Sequence, residues 1–238
     1  MEFHYWRFIE KNDMDHYDYC ARFIAPGERI LDVGSGRGKF LCMMAKKHFL
    51  VSGVENNPTY IAESQKLLQQ HEVEAEILHA RAEYLPFPDN YFDFVNCAEV
   101  TEHVEDPVKV IHEIFRVLKK DGKCYISFHN RYGFYDYHYH LFMINWLPRK
   151  YSDVIIKLFG RQKADSAETG RHKLSSMHYY TFDCIQQILE TAGFVVQDIR
   201  AQKIRQQHLW CSFIVMFFYL HFLRPYYFNT FHLLVEKI

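Results

Sequence analysis

The sequence has no closely spaced pair of cysteines and no excess of one charge. Its six cysteines are scattered and form no Cys-x-x-Cys pair, so a disulfide-stapled secreted domain is not indicated and we expect reduced thiols in the cytoplasm. The 28 Lys and Arg residues nearly balance the 29 Asp and Glu residues, giving a formal net charge of -1. This balance excludes a whole-molecule field that would gather nucleic acid or an anionic membrane.

Apolar runs long enough to cross a membrane are also missing. The stretch LWCSFIVMFFYLHFL at 209–223 falls short of the roughly 20 residues that a spanning helix needs. Three interpretations stay open for it: a helix packed in the core or over a binding site, an interfacial helix, and a membrane anchor. The first residues, MEFHYWRFIEKND, have no basic stretch followed by an apolar one, so they do not resemble a cleaved signal peptide.

What the sequence does have is a regular alternation of short apolar segments and amphipathic segments between residues 28 and 202. The predicted strands are RILDVG, FLVSGVE, AEILHA, FDFVNCA, KCYISFH and FVVQDIR, and the predicted helices are KFLCMMAKKH, PTYIAESQKLLQQH, PVKVIHEIFRVLKK and FDCIQQILETAG. FHLLVEKI is a plausible final strand. The alternation predicts an α/β fold with a doubly wound, mostly parallel sheet and an antiparallel final strand.

Residues 130–180 interrupt this alternation. They are dense in Tyr, His and Phe, and they are too long for an ordinary connection between strand and helix. We expect an aromatic-rich cap insertion after the fifth strand, with helices of its own. The predicted organisation is a single domain over 1–238, with a ligand-binding core at 28–128, the cap at 130–180, and a C-terminal helix, strands and apolar segment at 181–238.

A glycine-rich turn follows the first predicted strand, in ILDVGSGRGKF at residues 30–40. Such a turn between a strand and a helix brings the backbone close to a ligand, either a dinucleotide or the sulfonium cofactor S-adenosylmethionine. Gly34, Gly36 and Gly38 follow the pattern G-x-G-x-G, and Lys39 stands where a dinucleotide fingerprint has its third glycine. The spacing therefore favours the second ligand.

Asp32, directly before the turn, separates the two ligands by charge. A carboxylate here would repel a pyrophosphate, but it can accept a hydrogen bond from the ammonium group of S-adenosylmethionine, whose sulfur is also cationic. Glu55 ends the second predicted strand about 20 residues after the turn, where an acidic residue can accept from ribose hydroxyls. The turn and the two carboxylates together predict S-adenosylmethionine as the cofactor.

From about residue 28 to 128 the chain resembles the class I S-adenosylmethionine-dependent methyltransferases, in the group with ubiquinone-biosynthesis, sugar and natural-product enzymes. Beyond the glycine turn, AEYLPFPDNYFDFVNCAEVTEHVEDP resembles that family's adenine loop and fourth strand. IFRVLKKDGKCYISFHN is similar to its next helix and fifth strand. The resemblance implies a Rossmann-like fold and methyl transfer, and it leaves the acceptor open.

The resemblance also implies roles for individual cofactor-site residues. The methionine end would be bound by Asp32, Gly34, Gly36 and Gly38, with Cys97 and Ala98 beneath it, and Glu55 would hold the ribose, with Asn56, Ala82 and Glu83 beside the adenine. One position departs from the family, which usually has an aspartate where Arg81 stands. A guanidinium cannot accept a hydrogen bond from the adenine amine, so Glu83 or a backbone carbonyl is expected to do so.

Candidate catalytic residues follow the fourth strand in VTEHVEDP. Methyl transfer is an in-line displacement, and an oxygen or nitrogen acceptor benefits from a base that removes its proton. A histidine suits this task near neutral pH. We predict His103 as the base or orienting residue, Glu102 as its acceptor or a capping partner, and His138 of the insertion as a further catalytic histidine; a purely structural role for each stays open.

The insertion begins with FHNRYGFYDYHYHLFMINWLP, and its polar residues are candidates for substrate contact. They are His129, Asn130 and Arg131, the last being suited to a phosphate or carboxylate. Ligand types for a metal are present in His129, His138, His140 and Asp136. Their spacing matches no known motif and most methyl transfers need no cation, so we expect no metal. His172 and His178 are interpreted as lid or surface residues, and Thr181 as a helix N-cap.

The favoured function is methyl transfer to a hydroxyl of a small metabolite, glycan or lipid-linked intermediate, because an aromatic, weakly charged cap suits an apolar or sugar face. C- or N-methylation of a quinone-like or amine acceptor, a non-catalytic cofactor-binding partner protein and, most remotely, a dehydrogenase are the alternatives. Nucleic acid is not expected, since NCAEV lacks the motif that holds an exocyclic amine and the basic residues are diffuse. We expect a cytoplasmic protein, with peripheral membrane contact through 209–223 as an option.

Overall fold

The computed structural model describes residues 16–160, 173–207 and 212–238 of the 238-residue chain. His172 and positions 209–211 of the apolar segment lie outside the described residues. The chain divides into two compact units. The first comprises the described residues up to Cys97, with 112–125 and 236–238, and the second comprises 98–111 and the described part of 126–235.

The strands of the described residues form one seven-stranded sheet and one two-stranded hairpin. In chain order they are β1 (Arg29–Val33), β2 (Leu50–Glu55), β3 (Glu76–His79), β4 (Phe92–Cys97), β5 (Leu118–His129), β6 (Tyr135–Asp136), β7 (Leu141–Phe142), β8 (Phe194–Asp198) and β9 (Thr230–Lys237). The large sheet has the order β3-β2-β1-β4-β5-β9-β8, and β6 pairs with β7. The predicted Rossmann-like, mostly parallel sheet with an antiparallel final strand is confirmed.

Helices alternate with these strands as the sequence predicts. They are α1 (Lys39–Lys46), α2 (Pro58–Gln70), α3 (Pro107–Val117), α4 (Arg149–Leu158), α5 (Phe182–Thr191), α6 (Ile199–Gln207) and α7 (Ser212–Phe218), the last continuing as a π-helix over Tyr219–Tyr227. Thr181 caps α5 as predicted, because its side chain accepts from the backbone N–H of Cys184.

The end of α3 differs from the prediction. The helical pattern PVKVIHEIFRVLKK extends to Lys120, but α3 ends at Val117 and the next residue already belongs to β5. Leu118 is fully buried, and the ammonium group of Lys119 lies 2.6 Å from the Asp93 carboxylate. The burial of Leu118 and the ion pair of Lys119 with Asp93 favour the strand over another helical turn.

The first unit is built around β1, whose apolar residues Ile30, Leu31 and Val33 are fully buried. Strands of a parallel sheet are covered on both faces, so they are apolar along their whole length. Arg29, at the start of β1, is exposed, and Asp32 is the buried exception, being 3% exposed. The parallel register aligns it with Gly53 of β2 and with Asn96 of β4.

The insertion after β5 has a small hydrophobic core of its own within the second unit. Its buried members are Tyr139, Ile144, Ile156, Leu174 and Met177, and Leu141, Ile155 and Tyr179 pack against them. This core joins β7, α4 and the chain just before α5. The insertion is therefore a packed substructure that holds its polar side chains in defined positions.

From Ser212 onward the C-terminal apolar segment is helical, and it exposes many large side chains. Phe213 is 81% exposed, and Phe217, Phe218 and Phe222 are each about half exposed. We call these four residues the exposed aromatic face. Nowhere in the described ranges does a helix combine the length and the apolar character that crossing a bilayer requires.

Candidate active site

The glycine turn has the backbone that its sequence predicts. Gly34, Gly36 and Gly38 have φ angles of 67°, 53° and 77°, in the left-handed region that side chains other than glycine rarely adopt. Gly38 is the N-cap of α1, and a Cβ atom there would lie 2.1 Å from Oγ of Ser64 on α2. The third glycine thus lets α2 approach the turn closely.

Gly38→Ala is expected to lower the free energy of unfolding by about 3 kcal/mol, since it combines left-handed strain with a steric clash. Urea denaturation measures this change. Gly27→Ala is the matched control: its φ angle is +86°, but nothing lies within 4 Å of its Cβ position, so it should lose only about 1 kcal/mol. Equal losses in the two variants would show that the contact with Ser64 is not the reason for Gly38.

Asp32 is a buried carboxylate, and among the described residues the side chains that act on its charge are Asn96 and Glu55. Its Oδ1 accepts a hydrogen bond of 2.7 Å from Nδ2 of Asn96, whose own Oδ1 lies 3.0 Å from Nε2 of His16. Burial raises the pKa of Asp32 to about 7; the Asn96 hydrogen bond lowers it in part, and the charge of Glu55 adds to the rise. A positively charged ligand group would favour the ionised form, so Asp32 fits the ammonium end of S-adenosylmethionine.

Glu55 ends β2, and its carboxylate is bonded to the surrounding backbone. Oε2 accepts from the N–H of Gly36 at 2.8 Å, and Oε1 accepts from the N–H groups of Asn56 and Asn57 at 2.9 and 2.8 Å. These bonds fill three of the roughly four acceptor positions of a carboxylate. A ribose hydroxyl can take the remaining position on Oε2, whereas a bond from each of two hydroxyls requires Glu55 to release Gly36.

The structure explains the unusual arginine at position 81. Its guanidinium donates to both carboxylate oxygens of Glu83, from Nε at 3.3 Å and from Nη2 at 3.1 Å. Glu83 is 4% exposed, and its neighbour Ala82 is also buried. Arg81 therefore holds the Glu83 carboxylate in place at the position beside Ala82.

The other predicted cofactor residues have unequal exposure. Asn56 is exposed at the end of β2, and its carbonyl oxygen lies 3.0 Å from Nε2 of His79. Cys97 is fully buried at the end of β4, and Ala98, which follows it, is half-buried. These positions are at the carboxyl ends of parallel strands, where open α/β sheets bind their ligands.

Two glutamates and three histidines of the second unit lie close together. Nε2 of His129 lies 2.9 Å from Oε2 of Glu99 and 3.1 Å from Oε1 of Glu102. Nε2 of His103 lies 3.5 Å from the same Glu102 oxygen. The His138 ring is 5.5 Å from the His103 ring and 4.7 Å from the His129 ring. The structure thus brings together the three predicted catalytic residues and adds His129 to them.

Glu102 is the most deeply buried acid of this cluster, with a side chain that is 0% exposed. Neither of its oxygens accepts a well-aligned hydrogen bond from a residue that the structure describes. The single Nε2–H of His129 cannot point at two carboxylates, and its shorter contact is with Glu99. Glu102 therefore keeps acceptor capacity beside His103.

Glu99 is a member of the cluster that the sequence analysis missed. Its backbone N–H donates to Oγ of Ser127 at 2.8 Å, and that hydroxyl donates back to its Oε1 at 3.1 Å. The residue has a φ angle of +58°, a conformation that costs about 1 kcal/mol and is concentrated at functional sites. The sequence feature that could have identified Glu99 is a carboxylate shortly after a buried strand of the parallel sheet.

The two carboxylates hold His129 as an imidazolium. Burial alone would lower the pKa of His129, but Glu99 and Glu102 outweigh it and raise the pKa well above its usual value. The Glu99 side chain is 53% exposed, and the charge and hydrogen bond of His129 hold its pKa well below its usual range. The pair thus stabilises the fold fully between about pH 4.5 and 6.5, and less once acid protonates Glu99 or base deprotonates His129.

The cluster also has the composition of a metal site. Glu102, His129 and His138 each offer a ligand atom, and these atoms lie within 4.8 Å of one another. The set considered from sequence is not the one assembled, because His140 bonds a tyrosine hydroxyl and Asp136 is used by other donors. A metal would need His129 as neutral imidazole, whereas the two glutamates favour its charged form.

The remaining predicted residues differ in what they can offer a substrate. Asn130 is 1% exposed, and its Nδ2 lies within 3.2 Å of the carbonyl oxygens of Arg224, Pro225 and Phe228. Both of its amide hydrogens are therefore used inside the fold. Nη2 of Arg131 donates to the Leu147 carbonyl at 3.0 Å, but Nη1 does not, and Arg131 keeps donor capacity.

His178 has a structural contact with the cluster. Its side chain is half-buried, and its backbone N–H donates to the carbonyl of Glu102 at 3.2 Å. This bond joins the end of the insertion to the loop after β4. The loop position of Glu102 is thus fixed from two directions, by its own chain and by the insertion.

Comparison with known proteins shows which proteins the chain resembles. A family model described as a methyltransferase domain matches residues 31–126. The chain is 30% identical to the ubiquinone/menaquinone biosynthesis C-methyltransferase of Vibrio cholerae over 175 residues. This alignment covers 71% of this chain and 65% of that protein. The chain is 28% identical to the ubiquinone biosynthesis O-methyltransferase of Coxiella burnetii over 65% of this chain and 68% of the relative. The chain thus spans just under two thirds of the first relative's length.

Solved structures share the fold. An S-adenosylmethionine-dependent methyltransferase from Methanosarcina mazei superimposes with a TM-score of 0.61 at 20% identity, over 92% of this chain and 96% of that one. The glycine turn, Asp32 and Glu55 lie at the strand ends where this fold binds its cofactor. The family model over residues 31–126, the relatives and the shared fold together support a class I S-adenosylmethionine-dependent methyltransferase.

Proposed function

We propose that the protein transfers the methyl group of S-adenosylmethionine to a hydroxyl group of a small metabolite, glycan or lipid-linked acceptor. The observation that supports an oxygen acceptor is the cluster of His103, Glu102 and His129. The cofactor supplies an already activated methyl group. What the protein must add is alignment, exclusion of water and removal of the acceptor's proton.

In this proposal His103 receives the proton. Its side chain is 28% exposed, whereas those of His129 and Glu102 are 5% and 0% exposed, so His103 is the most accessible of the three to a substrate. Glu102 accepts from the far side of the imidazolium that forms, and the charge on His129 keeps Glu102 and Glu99 from repelling each other. Asp32 binds the ammonium end of the cofactor, and Glu55 accepts from its ribose.

Incubation with S-adenosylmethionine carrying a ¹³C-labelled methyl group tests the acceptor atom. The carbon chemical shift of the labelled methyl in the product distinguishes attachment to oxygen, nitrogen or carbon. A methyl ether in the product supports the proposal. Label found only on carbon or nitrogen would overturn the hydroxyl assignment and leave methyl transfer itself in place.

C-methylation of a quinone-like acceptor is the second candidate. The relative from Vibrio cholerae is named for C-methylation in ubiquinone and menaquinone biosynthesis. A ring carbon becomes nucleophilic when a neighbouring phenol loses its proton, so the same base at His103 serves this reaction. The ¹³C experiment separates the two candidates.

We further propose that the apolar segment 209–223 contacts a membrane surface, with the protein otherwise cytoplasmic. The support is the exposed aromatic face, which presents four phenylalanines to solvent. Amphipathic aromatic helices bind at the boundary between lipid headgroups and acyl chains. Lipid-linked acceptors are reached at that boundary.

Replacing Phe213, Phe217 and Phe222 with serine is expected to weaken binding to mixed phosphatidylcholine and phosphatidylglycerol vesicles about tenfold or more, because each buried phenylalanine contributes about 1.5–3 kcal/mol. Cosedimentation measures this. Leu50→Ser is the control, since Leu50 is 56% exposed on β2 and lies outside the segment. A wild-type protein that does not sediment with vesicles would refute the proposal.

A further inference from the structure

Two arginines of the insertion have guanidinium nitrogens that are buried but not bonded. Nη1 of Arg131 and both terminal nitrogens of Arg149, the first residue of α4, are shielded from solvent. None of the three donates a hydrogen bond to any residue within the described part of the chain. A buried charged donor without an acceptor lowers the stability of the fold. Two arginines with such donors are therefore expected where a ligand supplies the acceptors.

Arg149 lies in surroundings with an excess of positive charge. Nη2 of Arg131 donates to the carbonyl of Leu147, two residues before Arg149, so the two arginines lie on adjoining parts of the insertion. Burial lowers the pKa of Arg149, and the charge of Arg131 lowers it further. Its guanidinium carbon lies 4.4 Å from the centroid of the Tyr179 ring. A cation–π contact with this ring orients the guanidinium without using its N–H groups.

Asp136, an acid whose charge acts on Arg149, does not satisfy these donors. Asp136 is 2% exposed, and its Oδ1 accepts from the backbone N–H groups of His138 and Tyr139 at 2.9 and 3.1 Å. Its Oδ2 accepts from Nδ2 of Asn145 at 3.1 Å and from the Tyr179 hydroxyl at 2.8 Å. Four donors fill the acceptor positions of one carboxylate, so Asp136 holds Tyr179 and has none left for Arg149.

Tyr179 also connects this site to the histidine cluster. Its ring stacks on the His129 ring with centroids 5.0 Å apart, and its hydroxyl lies 3.2 Å from Nδ1 of His138. The same tyrosine ring therefore contacts Arg149 and the proposed acid–base group. A molecule whose anionic group is held by the arginines would have its remaining part beside the histidines.

We propose that Arg131 and Arg149 bind the anionic group of the methyl acceptor, either a carboxylate or a phosphate ester. Arginine suits both because its planar guanidinium donates two parallel hydrogen bonds to a pair of oxygens. The proposal rests on the proposed methyl transfer, whose substrate it narrows to an acceptor that carries a negative charge. The arginines fix the orientation of that acceptor; they take no part in moving its proton.

Binding of benzoate and phenyl phosphate, with uncharged benzamide as the comparison, tests the site by isothermal titration calorimetry. The wild type should bind at least one of the anions saturably and benzamide at least tenfold more weakly. Arg149→Gln should weaken anion binding about tenfold or more, as expected for lost charge-assisted hydrogen bonds. Binding of benzoate alone identifies a carboxylate acceptor, and binding of phenyl phosphate alone identifies a phosphate ester.

Two further variants keep the test decisive. Lys150→Gln removes an adjacent exposed charge and should leave anion binding unchanged. If Arg149→Gln fails to fold, Arg149→Lys replaces it in the test, because lysine retains the positive charge. Arg149→Lys should still weaken anion binding, because an ammonium group cannot donate the two parallel hydrogen bonds of a guanidinium. Equal anion affinity in wild type and Arg149→Lys, or no saturable binding to wild type, would overturn the site. Anion binding without any methyl transfer would instead sink the proposed function and leave the site standing.

Discussion

Replacing Asp32 with asparagine is expected to weaken the binding of S-adenosylmethionine about tenfold or more. The substitution keeps the shape of the side chain, and the new Oδ1 can still accept from Asn96. It removes the negative charge, and with it a charge-assisted hydrogen bond of about 1.5–3 kcal/mol to the ammonium end of the cofactor. Calorimetric titration of the cofactor into both proteins measures the difference.

The affinity of the wild type is also expected to depend on pH. The pKa of Asp32 is raised to about 7, so below that pH the carboxyl group holds a proton that must leave before a cation binds. Affinity should therefore fall by up to about tenfold for each pH unit below 7. The asparagine variant should lack this dependence, and an equally flat profile in the wild type would remove Asp32 from the cofactor site.

The same substitution should stabilise the fold at high pH. The folded pKa of Asp32 lies above its unfolded value, so this group's contribution is favourable in acid and is lost as pH rises toward 7. At pH 8 the wild type bears a buried charge without a cation, and Asp32→Asn should raise the free energy of unfolding by about 2–4 kcal/mol. At pH 5.5 about half of this gain should vanish, and nearly all of it below about pH 4, where Asp32 is protonated in both the folded and the unfolded chain.

Asp121→Asn is the matched control for both measurements. Asp121 is exposed and has a φ angle of +62°, which asparagine tolerates as well as aspartate. Its replacement should change neither cofactor affinity nor stability. A stability gain of equal size at Asp121 would mean that the effect comes from net charge, and that Asp32 has no special environment.

His103→Ala is expected to slow methyl transfer about a hundredfold while leaving cofactor affinity and stability close to those of the wild type. His129→Ala should behave differently. It leaves Glu99 and the fully buried Glu102 without their cation, so it should lower the free energy of unfolding by about 3–5 kcal/mol. Turnover, calorimetry and urea denaturation on the same preparations separate the two roles.

His112→Ala, at an exposed position on α3, is the control for the histidine substitutions and should change none of the three quantities. A His103→Ala protein that turns over at the wild-type rate would return His103 to a structural role. If His129→Ala proved as stable as the wild type, the charge assigned to His129 would be wrong, and the metal interpretation of the cluster would gain weight.

The parallel core was predictable because its physical signals are local. In RILDV of β1 every residue after Arg29 is buried, and a charged residue among apolar neighbours is retained only where it has a use. That reasoning identified Asp32 without any knowledge of its contacts. The glycine spacing was equally informative, since left-handed φ angles are a requirement of the backbone itself.

The histidine cluster was predictable only in part. Glu102 and His103 could be predicted because they lie in the loop after β4. His138 could be predicted because the insertion follows β5 and was expected to cover the binding site. The pairing of His129 with Glu99, the stacking of Tyr179 on His129 and the unbonded nitrogens of Arg149 depend on how the insertion folds. No periodicity in a Tyr- and His-rich segment encodes such contacts, because they join residues far apart in the chain.

At Arg81 the sequence showed that the usual aspartate is replaced, but it did not show which residue the arginine contacts. The missing aspartate beside the adenine position was visible, but the bond from Arg81 to Glu83 was not. The bond depends on the local backbone and on the side-chain conformations, and Glu83 lies in a turn that no repeating pattern of the sequence predicts. The acceptor for the adenine amine is therefore still a prediction for Glu83.

Transfer of a labelled methyl group from S-adenosylmethionine to a fractionated cell extract is the most direct test of the whole account. Wild-type protein should place label in a small-molecule or lipid fraction, and Asp32→Asn at limiting cofactor concentration and His103→Ala should both lose most of that label. Label that stays on the cofactor in every fraction, or that enters the extract equally with wild type and both variants, would contradict the assignment of this site.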